Sequence, residues 1–311
     1  MAETRNIDEI ANKMSALGVW RKILPSHWAI KARGVAFPYF CATMGSPPAG
    51  PVKWHFMLLD GWQTFHDYLH VRMDSNFGFY STPYEMPHYE VAVLKNGEAK
   101  VFRHDPGYVA RVPNEREAEL CSRLLWEAYG VMLRIESEPT LVMKYASENA
   151  IFCRTETAHG TWRDEPLALV QPRPHTETIS FLKKDVSAAK DLPLAADERL
   201  ALDLRILPGL HFMVDRPRTV YGLLAIDMKT RKKVINRKMG VNPETGLRGI
   251  WEALPSRLIK EFIERGHLPG ELMVMSGRVF RMLRTLCADF PFKLSLHDSI
   301  PELDAAFRQP D

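Results

Sequence analysis

The sequence predicts an α+β domain followed by an α/β domain that is built on a mixed sheet. The chain has 311 residues, which is enough for two hydrophobic cores. Its first half mixes helical patterns with a β-hairpin, whereas its second half has elements in the order βββαβαβα, an order typical of a mixed sheet covered by helices. We therefore predict one domain at residues 1–170 and another at 199–311. The stretch 171–198 mixes proline, charged and small residues, so it is predicted to be a linker.

Three helices are predicted in the first domain. Apolar residues recur at helical spacing over 6–17 and again over Gly61–Arg72. The clearest helix begins after Asn114, because Glu117 three residues later completes a capping box. We expect this helix to end at Gly130, since glycine commonly follows the last helical turn.

The strands of the first domain are predicted around a hairpin. Tyr89–Leu94 and Ala99–Phe102 flank the pair Asn96-Gly97, and these two residues readily adopt the positive φ angles of a tight turn. Trp54–Leu59 is predicted to be a separate strand. A meander of three short strands is expected to follow the third helix, near 141–145, 150–155 and 167–170.

The second domain alternates strands with helices. Five strands are expected, at Leu210–Val214, Val220–Ile226, Lys233–Met239, Glu271–Met275 and Phe292–Leu296. A helix over 247–265 is expected to break before Pro255, because proline lacks the amide proton of a helical hydrogen bond. Gly277–Asp289 is predicted to be the next helix, and Ser299 with Glu302 is expected to cap the last one.

The charge distribution predicts an anionic partner for the second domain. The chain has a formal net charge of +3, yet residues 205–293 hold 17 Lys and Arg against 8 Asp and Glu. Basic residues on a hairpin and on an outward helix face can contact phosphates, so an acidic protein or a nucleic acid is a possible partner. A solvated basic surface is the alternative. The anion-binding candidates are Lys229, Arg231, Lys232, Lys233, Arg278, Arg281 and Arg284.

The composition also predicts the cellular compartment of the protein. The residues Met1–Arg5 are not followed by an apolar run, and no apolar stretch approaches the ~20 residues of a membrane span, so we expect a cytoplasmic protein without a membrane partner. No Cys-x-x-Cys pair, P-loop or Gly-x-Ser-x-Gly motif occurs, and no cofactor is predicted. Four scattered cysteines are expected to be buried thiols: Cys41, Cys121, Cys153 and Cys287.

The helix over Gly61–Arg72 contains the metal-ligand candidates of the sequence. His66 and His70 are four residues apart, so both lie on one helical face and can share a Zn²⁺ ion, with Asp67 as a base between them. His55 lies nearby in sequence. Of the two hypotheses we expect the other one, in which both histidines are half-buried and hydrogen-bonded at the edge of the apolar stripe of this helix and hold no ion.

Two sets of short strings resemble an uncharacterised bacterial two-domain family. The front half has Cys41-Ala42-Thr43-Met44-Gly45 before a strand that ends Leu58-Leu59-Asp60-Gly61. The back half has Leu268-Pro269-Gly270-Glu271-Leu272-Met273-Val274, a helix, a strand, and Ile300-Pro301-Glu302-Leu303-Asp304. This resemblance implies a two-domain layout and no activity.

The order βββαβαβα is also similar to the ribonuclease H-like fold, which hosts nucleases that hold two divalent ions between carboxylates. That resemblance implies ligands on the first strand, on the fourth strand and near the last helix. Asp215 and Asp227 lie near the first two predicted strands, and Asp298 or Asp304 lies near the last helix, but the fourth strand supplies no acid. We therefore expect a degenerate ribonuclease H-like domain in a non-catalytic binding or regulatory protein. The alternative is a metal-dependent hydrolase or a divergent nuclease.

Overall fold

The protein forms an α+β fold with two mixed β-sheets. The computed structural model describes residues 7–18, 28–45, 50–73, 85–171, 179, 181–212 and 216–308. Contacts divide the chain into two compact units. The first unit comprises Met1–His70, Met86–Asp105 and Ala110–Arg173. The second comprises Val71–Glu85, Pro106–Val109 and Pro174–Asp311.

The first unit contains a seven-stranded sheet in the order β5-β4-β3-β2-β1-β6-β7. All neighbouring strands are antiparallel except β1 and β6, which are parallel. The first two strands were not predicted, because the first has only four residues and the second has four consecutive buried residues, Tyr39–Ala42, in place of an alternation of polar and apolar residues. The strands are β1 (Trp28–Lys31), β2 (Tyr39–Gly45), β3 (Val52–Asp60), β4 (His88–Leu94), β5 (Ala99–His104), β6 (Ala150–Glu156) and β7 (Trp162–Ala168).

Three helices flank this sheet: α1 (Ile7–Ala16), α2 (Gly61–Met73) and α3 (Glu115–Ser137). Helices α1 and α3 pack with one face of the sheet, and their buried side chains share a core with Trp54, Phe56 and Val91. Helix α2 contacts the opposite face, where Phe65 stacks on Phe40 with ring centroids 4.2 Å apart. Both faces of the sheet are therefore partly covered.

Helix α3 begins as predicted and ends later. Asn114 Oδ1 accepts a hydrogen bond from the Glu117 backbone amide, and the Glu117 side chain accepts one from the Asn114 amide, so the capping box is confirmed. The expected end at Gly130 is wrong, because the helix continues to Ser137. Its buried stripe extends through Val131, Met132 and Ile135, and burial of these side chains outweighs the ~1 kcal/mol cost of one internal glycine.

The β4–β5 hairpin is confirmed, but its turn differs from the predicted one. Only Gly97 of the Asn96-Gly97 pair has a positive φ, of 87°. The Leu94 amide donates to the Glu98 carbonyl at 2.8 Å, so three residues form the loop, and glycine provides its left-handed position. The side chain of Asn96 instead accepts a hydrogen bond from the Glu98 amide at 3.0 Å.

The strand predicted near 141–145 is absent from this described stretch, which forms two short 3₁₀ turns, Leu141–Met143 and Ala146–Glu148. Leu141 and Val142 are buried against the core, so the apolar run has the expected burial in a different backbone conformation. A run of three apolar residues cannot distinguish a strand from a helical turn by periodicity.

The second unit contains a five-stranded sheet in the order β10-β9-β8-β11-β12. The first three strands are antiparallel neighbours, while β11 runs parallel to β8 and β12 runs parallel to β11. The elements are α4 (Lys183–Lys190), β8 (Leu194–Phe212), β9 (Arg218–Asp227), β10 (Lys233–Gly240), α5 (Gly246–Arg265), β11 (Leu268–Val274), α6 (Gly277–Arg284), β12 (Lys293–Leu296) and α7 (Pro301–Arg308).

The stretch 171–198, predicted to be a linker, contains α4 and the first residues of β8. Strand β8 starts at Leu194, not near residue 210, and Ala189 of α4 is fully buried. The sequence holds the signal that we missed. Leu200, Leu202 and Leu204 alternate with less apolar residues, which is the period of a strand, and all three are buried.

Two further expectations are corrected. Helix α5 does not break before Pro255 but continues through it to Arg265, and the side chains on both sides of the proline are buried in the core. Cys287 is exposed, in contrast to the buried thiols of Cys41, Cys121 and Cys153. Among the helices in the described ranges, none combines the length and the apolar character needed to cross a bilayer.

Candidate metal centre

The β4–β5 hairpin brings two histidines and a glutamate together. His88 and His104 are direct cross-strand partners, and Glu90 lies two residues along β4, so the three side chains project from one face of the sheet. Tyr89 and Val91, which follow His88 and Glu90 along the strand, project from the other face into the core with α1 and α3. The alternation of the strand therefore separates the polar cluster from the main core.

A third histidine reaches the cluster from β3. His55 is the cross-strand partner of Ala92, which places it diagonally from Glu90 on the same face. Its Nδ1 lies 2.6 Å from Glu90 Oε1, and His104 Nε2 lies 2.8 Å from Glu90 Oε2. Each carboxylate oxygen of Glu90 thus accepts a hydrogen bond from a different imidazole.

Burial and charge set the protonation of this cluster. His88 is 1% exposed, and this burial, together with the nearby His104, lowers the pKa of His88 to about 3. Burial alone would raise the pKa of Glu90, but the hydrogen bonds from His104 and His55 outweigh it and hold that pKa well below its usual range. At neutral pH His88 is therefore a neutral imidazole next to an ionised carboxylate.

The ring of His88 is held in one orientation. Its Nδ1 donates to the Met86 carbonyl at 2.8 Å, so the lone pair of the neutral ring is on Nε2. Within the part of the chain that the structure describes, this buried Nε2 has no hydrogen-bond partner. A ring nitrogen that is buried, deprotonated and held from the opposite side by a backbone carbonyl is the usual state of a metal-binding histidine.

The ligand atoms of His88, Glu90 and His104 all lie within 4.8 Å of one another. In the described ranges no other group of three or more His, Cys, Asp or Glu residues has this spacing. The His88 and His104 rings are stacked, with centroids 4.2 Å apart and planes 6° apart. In two parallel stacked rings the nitrogen lone pairs lie in parallel planes and do not converge on one point. One ring therefore has to tilt out of the stack before both nitrogens can bind one ion.

Sequence reasoning missed this cluster because His104 is on β5, away along the chain from His88 and Glu90 of β4. The predicted hairpin stopped at Tyr89 and Phe102, one or two residues short of both histidines. Extension of that hairpin with the same register places His104 directly opposite His88, so the signal was present in the pair His88-x-Glu90 and the position of the turn.

The helical histidines proposed from the sequence have other surroundings. His66 Nε2 lies 2.7 Å from the Val170 carbonyl oxygen, to which it donates, and its ring stacks on Trp62 with centroids 5.8 Å apart. His70 belongs to α2, but its side chain lies outside the described residues. Half-buried, hydrogen-bonded rings, rather than a shared ion, stay the prediction for this pair.

Two of the anion-binding candidates form ion pairs within the second unit. Arg231 pairs with Glu302, and Arg278 pairs with Glu85 at 3.0 Å while its guanidinium lies over the Trp251 ring. Lys233 is half-buried and also has an interaction partner. The remaining candidates, Lys229, Lys232, Arg281 and Arg284, are exposed, and so is the paired Arg231. Binding of an anionic partner stays a prediction.

The carboxylates considered as nuclease ligands do not converge in the described region. Asp227 accepts hydrogen bonds from the Lys229 and Thr230 amides and so closes its own hairpin turn. Asp304 pairs with Arg205 at 2.6 Å, and Asp298 is exposed. Asp215 lies outside the described residues.

Comparisons of the chain with protein-family models, with curated proteins and with solved structures found no match.

Proposed function

We propose that the first unit binds one divalent transition-metal ion through His88, Glu90 and His104. The observation that carries this proposal is the buried Nε2 of His88, which has a lone pair and no partner in the described region. A buried polar atom without a partner costs about 1–3 kcal/mol, and a metal ion would supply the missing interaction.

The donor set supports a first-row divalent ion. Two imidazole nitrogens and one carboxylate oxygen suit Zn²⁺ and Fe²⁺, whereas Mg²⁺ and Ca²⁺ prefer oxygen alone. Outer hydrogen bonds are also in place, because Met86 holds His88 from behind and His55 holds the far oxygen of Glu90. Such outer partners fix the orientation of the ligands and strengthen binding.

Calorimetric titration of the chelator-treated protein with Zn²⁺ tests this proposal. The wild type is expected to bind one ion, and His88→Gln is expected to lose that binding while its circular dichroism spectrum is unchanged. His66→Gln is the matched control, because it removes a histidine of α2 and should leave the stoichiometry at one. Wild-type protein that takes up no Zn²⁺, or a His88→Gln variant that binds like wild type, would contradict the proposal.

We also infer that the second unit is a ribonuclease H-like domain without a metal site. The sheet order β10-β9-β8-β11-β12, with β11 and β12 parallel to β8, supports the likeness. The first strand and the last helix supply Asp203 and Asp304, but Arg205 donates to both carboxylates, at 2.7 and 2.6 Å. The guanidinium between these two acids supports a domain of this kind that holds no metal ion there.

The absence of a nuclease centre in the second unit is tested by titration with Mg²⁺. The wild type is expected to bind no stoichiometric Mg²⁺ and to leave RNA and DNA intact in its presence. Binding of Mg²⁺ that disappears in Asp203→Asn would overturn this inference, and it would leave the proposal for the first unit unaffected.

A further inference from the structure

We propose that the metal ion bound in the first unit keeps one exchangeable coordination position that takes a small anion, and that His55 keeps this position open. The inference rests on the proposed metal site. It goes beyond that site, because an ion bound only by protein ligands has a structural role, whereas an ion with an exchangeable ligand can bind a further molecule. Structural zinc sites have four protein ligands, whereas sites with three keep a position for water or substrate.

The first step concerns Glu90, which can bind an ion through one oxygen or through two. Its Oε1 accepts a hydrogen bond from His55 Nδ1 at 2.6 Å. Its Oε2 lies near His104 Nε2 at 2.8 Å, within the cluster. While His55 holds Oε1, Glu90 therefore offers one oxygen to the ion.

The second step concerns the cross-strand neighbours of His88 and Glu90. Leu59 lies opposite His88, while Met57 and Phe102 lie opposite Glu90. None of these three side chains carries a nitrogen or oxygen donor. Among the described residues, the protein ligands therefore number three, and none of these residues supplies the fourth ligand that a tetrahedral ion needs.

The third step concerns access. His88 is 1% exposed and closes the inner side of the cluster. The side chains of His55 and Glu90 are 25% and 20% exposed, so solvent reaches the cluster at these two residues. A small ligand can enter there without displacement of the buried His88.

The charge at the site selects the kind of ligand. One carboxylate neutralises one of the two charges of a divalent ion, and the two imidazoles are neutral when they bind it. The complex of ion and protein ligands thus carries a net positive charge in a largely buried place, where interactions between charges are stronger than in water. The fourth ligand is therefore expected to be a small anion, such as hydroxide, azide or a carboxylate.

His55 is a positioning residue in this proposal, because it acts on the ion through Glu90. Replacement of His55 by alanine releases Oε1, which then becomes free to bind the ion and occupy the exchangeable position. Replacement by glutamine retains an N–H donor for Oε1. The alanine variant should therefore lose anion binding and keep the metal, whereas the glutamine variant should keep both.

Visible spectroscopy of the Co²⁺-loaded protein, titrated with azide, tests the proposal. Wild type is expected to bind one Co²⁺, and its absorption bands should shift to saturation as azide replaces solvent. His55→Ala should still bind one Co²⁺, with a metal affinity about 10–100-fold lower, as is usual when an outer partner of a metal ligand is removed, and its absorption bands should no longer shift with azide. His55→Gln should restore the azide response, and His66→Gln is the control that should behave like wild type.

The outcomes separate this inference from the metal site itself. Wild-type protein that binds one Co²⁺ but shows no spectral change with azide would overturn the exchangeable position and leave the metal site standing. An equal azide response in wild type and His55→Ala would overturn the role of His55. Wild-type protein that takes up no Co²⁺ would overturn the inference together with the proposed function.

Discussion

His88 and His104 stack face to face across the β4–β5 hairpin, with ring planes 6° apart. Burial of His88, together with the nearby His104, makes protonation of His88 unfavourable in the folded protein. The metal-free protein should therefore be sensitive to acid in a way that reports on this pair.

The sign of this dependence follows from the pKa of His88, which is about 3 in the folded state and ~6.5 in an unfolded chain. As the pH falls below ~6.5, only the unfolded state takes up the proton at His88. Titration of His88 therefore lowers the free energy of unfolding by about 1.4 kcal/mol per pH unit, until the pH approaches 3. Urea unfolding of chelated protein at pH 7.5 and pH 5 measures this. The loss between these pH values should be smaller in His88→Gln, and an equal loss in both proteins would contradict the burial of a neutral His88.

Arg205 should be essential to the stability of the second unit. Asp203 is 3% exposed, and although burial raises its pKa, the ion pair with Arg205 acts in the opposite direction. Removal of one partner of a buried ion pair costs about 3–5 kcal/mol, which is the expected effect of Arg205→Met on urea unfolding. The added change Asp203→Asn should recover part of that loss.

A matched control for this ion pair is Arg199→Met. Arg199 pairs with Glu271 at 2.9 Å, but its side chain is 56% exposed, so the loss should stay within about 1 kcal/mol. Similar effects of the Arg205 and Arg199 changes would mean that Asp203 is accessible to solvent.

Gly130→Ala should stabilise the first unit. Gly130 lies inside α3, it has no positive φ, and a methyl group added there would meet no atom within 4 Å. Alanine in place of an internal helical glycine adds about 0.5–1 kcal/mol to the free energy of unfolding, measurable by thermal or urea unfolding. Gly97→Ala, at a φ of 87°, should destabilise instead. A loss of stability in Gly130→Ala would indicate that α3 ends where the sequence predicted.

The exposed lysines of the β9–β10 turn test the predicted anionic partner. If the second unit binds duplex DNA, its affinity should fall with log salt concentration at ~0.9 per phosphate contact. The double change Lys229→Ala and Lys232→Ala should flatten this slope by up to about two contacts, while stability changes by less than ~0.5 kcal/mol per site. Absence of salt-dependent binding to DNA or RNA in the wild type would contradict a nucleic-acid partner and leave an acidic protein.

Much of the fold was predictable wherever local chemistry decides the outcome. The capping box at Asn114 and the turn at Gly97 each depend on residues a few positions apart, and both occur where the sequence places them. The end of α3 was not predictable from Gly130, because packing of Val131 and Ile135 with residues far along the chain decides it.

The candidate metal centre was harder to predict for the same reason. A search for ligands on one helix finds His66 and His70, since helical spacing is visible in a single segment. The centre formed by His88, Glu90 and His104 instead depends on the register between two strands. A hairpin prediction that had been extended by two residues would have found it, whereas the contribution of His55 depends on pairing between strands 35 residues apart.

The 19-residue strand β8 has a consequence for synthesis of the protein on the ribosome. One edge of β8 pairs with β9, which emerges soon after it, but the other edge pairs with Leu268–Val274 of β11, which is translated about seventy residues later. Until then that edge exposes backbone donors and acceptors next to an apolar strand, which is a template for pairing with another chain. A pause in translation before β11 should therefore favour aggregation or capture by a chaperone, and a pause after β12 should not.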